Sequence, residues 1–187
     1  RFEYLLEYNS EQAVIEEIKS TSPGLFVGYT IGEIDVKVPG GALTIIAAPT
    51  GHGKTATLIN FALGALRRQH DASVYFFTYE ESASSILTLF LNTFIDKELS
   101  KNNRESIRSY FREGKNDFIK QSLRPVFEED KNAFFEQLID TGRLHVNYTE
   151  MAVQELVAAI RYLRKNTNVA MICIDYIQCL KMLNGPQ

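Results

Sequence analysis

Ala47-Ala48-Pro49-Thr50-Gly51-His52-Gly53-Lys54-Thr55 is the stretch around which this chain is read. The apolar run Ala42-Leu43-Thr44-Ile45-Ile46-Ala47 leads into it, and a helix-patterned apolar stretch from Ala56 to Leu66 follows. A buried strand, a glycine-bearing loop and the start of a helix are expected in that order. A tight loop that opens a helix aims several backbone N–H groups at one point, and the helix end adds its partial positive charge. Gly51 and Gly53 lack Cβ, so the backbone bends freely there and can approach a bound group closely. Such a loop suits a multiply charged anion, and the Lys-Thr pair that follows narrows the anion to a phosphate chain.

Strand, loop, Lys-Thr and helix together make the P-loop arrangement. Lys54 is expected to place its ammonium on the β and γ phosphates of ATP, and the Thr55 hydroxyl to complete the shell of Mg²⁺. The expected nucleotide-binding set is Ala48, Pro49, Thr50, Gly51, His52, Gly53, Lys54, Thr55 and Ala56. Ala48 stands where the usual pattern begins with Gly. The His52 side chain is read as a solvent-facing loop residue without a chemical role.

The chain has 187 residues, 45% of them hydrophobic, enough for one core. The 20 basic and 23 acidic residues leave a net charge of −3, which announces no nucleic-acid binder by bulk charge. No apolar run approaches membrane-spanning length, and a cytoplasmic protein with no membrane contact is expected. The opening Arg1-Phe2-Glu3 carries neither Met nor a leader, and the chain reads as a piece of something longer. Cys173 and Cys179 lie in or beside one expected strand and fit buried thiols in a reducing compartment better than a disulfide or a zinc site.

Along the chain, Glu3 to Lys19 reads as a helix with an incomplete apolar stripe, ended by Ser20-Thr21-Ser22-Pro23-Gly24. It packs on its own domain or lies as a linker on a neighbouring subunit; both readings stay open. Pro39-Gly40-Gly41 is a turn that starts the first core strand. Ser73 to Tyr79 is a continuous β-rich run, as in a buried parallel strand, and it ends in Glu80-Glu81-Ser82. Ligands of open α/β sheets collect beyond the carboxyl ends of strands, so Glu80 is the candidate catalytic carboxylate. The plainer alternative is that both glutamates simply open the next helix, whose positive end they suit.

Ser84 to Leu99 is expected as a long apolar helix. Ser100 to Lys131 is charged and mixed in sign, with helices joined by Gly114 and Pro125. Its basic residues form a solvated face or a nucleic-acid contact, the former being the commoner use of such a stretch. A short helix is expected over Asn132 to Ile139 and a strand over Arg143 to Tyr148. Thr149 is the expected N-cap of a helix with Val153, Leu156, Val157, Ile160 and Leu163 on one face. Val169 to Ile174 is a third buried strand ending in Asp175. Hydrophobic residues closed by Asp downstream of a P-loop form the Walker B pattern, whose carboxylate supports the metal. Alternating strands and helices give an α/β fold with a mainly parallel sheet flanked by helices. The helical interval between Glu80 and Arg143 is an insertion or packed subdomain, not a second core.

With the P-loop, the Glu80 strand end and Asp175 in this order, the chain resembles the RecA-like P-loop NTPases, and among them the DnaB-type replicative helicases. Ile174-Asp175-Tyr176-Ile177-Gln178 is similar to that family's Asp-Tyr-Leu-Gln element. Phe77-Thr78-Tyr79-Glu80 stands at the family's strand ending in a catalytic Glu, and Pro39-Gly40-Gly41 precedes the first strand as it does there. Arg112-Glu113-Gly114-Lys115 resembles a basic-Gly-Lys stretch that the family carries after its long helix; Glu81 replaces an apolar residue. The resemblance implies that Lys54 and Thr55 hold phosphate and Mg²⁺ and that Asp175 supports the metal. It implies that Glu80 orients or deprotonates the attacking water, and that Gln178 senses the γ-phosphate and couples it to DNA. It divides the chain into an N-terminal linker helix and turn, 1–24, and a RecA-like ATPase domain, 25–187, with a charged helical stretch over 100–142. The domain is expected to be C-terminally incomplete, so this piece alone should be a weak ATPase. In the parent the resemblance implies a homo-hexamer on single-stranded DNA, with primase or a helicase loader as further partners. The competing resemblance is to KaiC-like or recombinase-like relatives acting as a switch or filament. Tyr79-Glu80-Glu81-Ser82 argues for it, and Asp175-Tyr176-Ile177-Gln178 argues against it.

Overall fold

A computed structural model describes residues 12, 15, 24–31, 33–95, 104–114, 119 and 121–176. Most of the expected N-terminal helix lies outside these residues, as do Lys101, Lys115, Lys120, Gln178 and Cys179.

The described chain opens with an antiparallel hairpin, β1 (Leu25–Ile31) and β2 (Ile34–Val38), which runs from the Leu25–Val38 pair to the Ile31–Ile34 pair. Gly24, just before β1, has φ +81, and a Cβ there would stand 3.0 Å from the Val38 carbonyl oxygen, so only glycine fits. Helix α1 (Lys54–Arg68) follows the P-loop, and its last turn carries Arg67 and Arg68 against the negative helix end. It is nearly apolar all round because β1, α2 (Ala83–Phe94) and the sheet surround it.

The main sheet has three described strands in the order β4-β3-β5, all parallel: β3 (Ser73–Thr78), β4 (Leu144–Asn147) and β5 (Val169–Asp175). β3 is central and accordingly β-branched and aromatic, with Val74, Phe76, Phe77 and Thr78 buried. Phe76 meets Phe90 of α2 edge-on at 5.4 Å. Helices α3 (Arg104–Glu113) and α4 (Arg124–Phe134) follow α2, and α4 runs on into a wider π-turn, Phe135–Ile139. Pro125 sits in the first turn of α4, where its missing N–H costs nothing, so it starts that helix rather than joining two. Ile107, Phe127, Phe134 and Leu138 belong to the same buried cluster as Ile59, Phe76 and Phe90. The charged interval is thus folded onto the one core, and its polar side is tied by Tyr110, whose hydroxyl donates to Glu128 at 2.6 Å and accepts from Lys131 at 3.0 Å. Helix α5 (Val153–Asn166) connects β4 to β5.

Two local expectations fail. Residues 43–49 form no strand, and Leu43 and Ile45 are 77% and 70% exposed. Apolarity calls for burial, but a strand also needs a neighbour for its N–H and C=O groups, and no described strand pairs with this run. Helix α5 starts at Val153, so Thr149 is not its cap. The Ala152 N–H is held by the Glu155 carboxylate at 2.8 Å, half of a capping box, and this places the helix start three residues later. No helix among the described residues is long and apolar enough to cross a membrane.

Replacing Phe76, fully buried against Phe90, by Ala is expected to cost about 3–5 kcal/mol in chemical denaturation. The Tyr162→Ala change, at a residue 66% exposed, should stay within about 0.5 kcal/mol of wild type in the same measurement.

Candidate functional site

The P-loop closes on itself. The His52 N–H donates to the Pro49 carbonyl at 3.4 Å, and His52 Nδ1 lies 3.1 Å from the Thr50 carbonyl oxygen. Gly51 and Gly53 take φ +80 and +79, which L side chains adopt only with strain. A Cβ on either would meet nothing within 4 Å, so backbone conformation and not space calls for glycine at both. Gly53 is the residue immediately before α1 and offers no side-chain cap to the helix's first N–H groups. Lys54 curls back over the loop and donates to the carbonyls of Ala48 and Pro49, both at 3.0 Å. Those two carbonyl oxygens occupy positions on the ammonium that phosphate oxygens can take.

Thr55 points the other way, toward the sheet. Its hydroxyl donates to Asp175 Oδ2 at 2.7 Å. Asp175 ends β5 and is 3% exposed, so this bond supplies a partner that a buried carboxylate requires. In the β3–β5 ladder Thr78 is opposite Asp175, and the Tyr79 N–H donates to the Asp175 carbonyl at 2.8 Å. Glu80 is therefore carried at the same carboxyl end of the sheet as Asp175, exposed to solvent. Glu81, next to it, points its carboxylate to the Ser85 hydroxyl instead. Burial and the charge of Asp175 push the Cys173 thiol up to about 12, which keeps it neutral and inert beside the site.

The sequence-expected residues thus fall into one group, with Lys54 and Thr55 on the loop, Asp175 below Thr55, and Glu80 beyond the neighbouring strand. Gln178 lies outside the described residues. A cavity of about 780 Å³ elsewhere, between α5 and the β3–β4 edge, is lined by Tyr75, His145, Met151 and Tyr162 and touches none of them. The contact that sequence reading missed is Thr78 with the turn after it; a Thr ending a buried strand before two glutamates is its only trace.

The chain matches the family model of the DnaB-like helicase C-terminal domain over residues 32–187. It belongs to that family. The match covers both the P-loop and the Asp175 strand, and of the two RecA-like branches weighed from the sequence it falls on the DnaB-like one. The mixed α/β architecture, with its parallel sheet flanked by helices, is that of a RecA-like DnaB C-terminal domain. The chain is also 27% identical over 185 residues to the replicative DNA helicase DnaB of Mycoplasma genitalium, an alignment covering 95% of this chain and 36% of that protein. The chain therefore spans about a third of the length of that relative.

The two glycine environments give different expectations for alanine. The Gly53→Ala variant should lose about 1–2 kcal/mol in urea denaturation, the strain of a left-handed residue alone. Gly24→Ala should lose more, because its Cβ also meets the Val38 carbonyl; equal losses would contradict this geometry.

Proposed function

We propose that this chain is the ATP-hydrolysing motor domain of a DnaB-type replicative helicase. The observation that supports it is the meeting of Thr55 with Asp175 beside the Glu80 turn, with the loop, a buried carboxylate and an exposed carboxylate at one sheet end. Family membership and the printed function of the relative, a replicative DNA helicase, support the reading.

In this reading Lys54 exchanges the carbonyls of Ala48 and Pro49 for β- and γ-phosphate oxygens, a charge-assisted contact. The backbone N–H groups from Gly51 to Ala56 cradle the same phosphates. The residues fit a magnesium ion, since a hard hydroxyl and a hard carboxylate already stand together and Mg²⁺ takes its remaining ligands from phosphate and water. Held by Thr55 and Asp175, Mg²⁺ would supply neutralisation of charge on the phosphates. Glu80 accepts a proton from the attacking water or orients it. Gln178 senses the γ-phosphate and passes its state to DNA-binding loops. The domain begins at Leu25, which packs on the core cluster, with 1–24 a linker helix and turn. The assembled protein is a cytoplasmic homo-hexamer that moves along single-stranded DNA and unwinds duplex during replication, with primase or a helicase loader as partners.

Two measurements test this. Wild type should melt at a higher temperature with Mg-ATP, by the equivalent of about 2.7 kcal/mol at a hundred times the dissociation constant. The Lys54→Ala protein should stay folded and show no such rise, because Lys54 faces the loop and leaves no cavity. No rise for wild type would sink the phosphate-site assignment. In steady-state hydrolysis by the full-length protein, Glu80→Gln should bind ATP but turn over at least ~100-fold slower, while Glu81→Gln is much milder. A crippling Glu81→Gln would instead transfer the role to Glu81.

A further inference from the structure

Glu80 takes no side-chain hydrogen bond from any other described residue, so its aim is set through the backbone. That backbone is tied on both sides. The Tyr79 N–H is held by the Asp175 carbonyl at 2.8 Å. Thr78, 1% exposed, donates its hydroxyl to the Glu81 carbonyl at 2.7 Å and accepts the Glu81 N–H at 3.2 Å. The Glu81 carboxylate is tied in its turn. The Ser85 hydroxyl in the first turn of α2 donates to it, and Arg108 of α3 donates to the same Ser85 oxygen at 2.5 Å. Ser85 is 4% exposed, so the relay Arg108 to Ser85 to Glu81 is sheltered, with a cation at one end and an anion at the other.

We propose that Arg108, acting through Ser85 and Glu81, is a positioning residue that aims Glu80 and joins α3 to the hydrolytic end of the sheet. This inference rests on the reading of Glu80 as the group that handles the attacking water. Without Arg108, the Ser85 oxygen loses a charged donor on the side away from Glu81. The Ser85–Glu81 bond loses the cation that polarises it, and the Thr78–Glu81 turn is held less firmly on its Glu81 side. The carboxylate of Glu80 remains present but spends less time in its productive direction. Such a change lowers the rate of the chemical step and leaves the phosphate contacts of Lys54 and Thr55 untouched. The mildness expected of Glu81→Gln follows as well, because the amide retains an acceptor oxygen for Ser85.

The test is steady-state ATP hydrolysis by the full-length protein carrying Arg108→Ala, Arg108→Lys, Glu80→Gln, and Arg108→Ala with Glu80→Gln. Arg108→Ala is expected to lower kcat about tenfold or more, with KM for ATP within about twofold of wild type. Arg108→Lys, which keeps a charged donor, should recover most of that rate. In the Glu80→Gln background Arg108→Ala should add nothing, since the group it aims is gone. Ser85→Ala removes one oxygen from the relay and should reproduce the Arg108→Ala readings if that variant folds poorly. A wild-type kcat for Arg108→Ala or Ser85→Ala, or a full multiplicative loss on top of Glu80→Gln, overturns the proposal. A slow Glu80→Gln beside a fast Arg108→Ala overturns this inference alone. Wild-type turnover by Glu80→Gln overturns the assignment of Glu80 and this inference together.

Discussion

The hydrogen bond from Thr55 to Asp175 joins residues 120 positions apart, and the arrangement of the site depends on it. Thr55 belongs to the first turn of a helix whose inner face, Ile59, Ala62, Leu63 and Leu66, is anchored in the core. Asp175 ends a strand whose neighbour on one side is β3. A buried carboxylate without a partner would be costly, so the contact is enforced from both sides, by packing behind and by desolvation at the bond itself. With α1 and β5 locked in this way, the parallel β3–β5 register carries the Tyr79 N–H to the Asp175 carbonyl, and the Glu80 turn follows. The loop, the buried Asp175 carboxylate and the exposed Glu80 carboxylate thus share one frame of reference.

The helical interval between β3 and β4 is integrated into that frame rather than appended to it. Phe127, Phe134 and Leu138 share the core with Phe76 and Phe90, so α4 cannot shift without disturbing the packing under β3. Arg108 of α3 reaches the same region by a polar route through Ser85. An apolar contact and a charged one therefore run from this interval to the same strand end. This gives a stretch that reads as solvated surface a physical link to the carboxyl end of β3.

Legibility varied with the kind of interaction that decides each feature. The strands β3, β4 and β5, the helix after the P-loop and the positions of Lys54 and Thr55 at a helix start and of Asp175 at a strand end were all readable. Each is carried by local periodicity or by a short motif whose spacing reflects backbone geometry. The β1–β2 hairpin was not recognised, because Leu25 to Val38 alternates weakly and its register is irregular between Phe26 and Thr30. The run from Ala42 to Ala47 calls for a strand on its apolarity, yet pairing is a property of a neighbour that no local pattern encodes. The α5 cap was misplaced because Thr149 is the usual residue type, whereas the bond that forms is made by Glu155 from inside the helix.

The sequence by itself determined that a glycine-bearing loop ending in Lys-Thr opens α1, that β3 and β5 are buried, and that acidic residues close both strands. These follow from hydrophobic spacing, from glycine's access to positive φ and from the chemistry of Lys, Thr and carboxylates, all of which act within a few residues. Only the tertiary structure decided that Thr55 bonds Asp175, that Glu80 is exposed while Glu81 is engaged by Ser85, and that Arg108 reaches this strand end from another helix. Two adjacent glutamates are alike in a sequence. They differ in the fold because neighbouring residues of an extended or turning backbone face different sides, and because the donors that select between them come from elements distant along the chain.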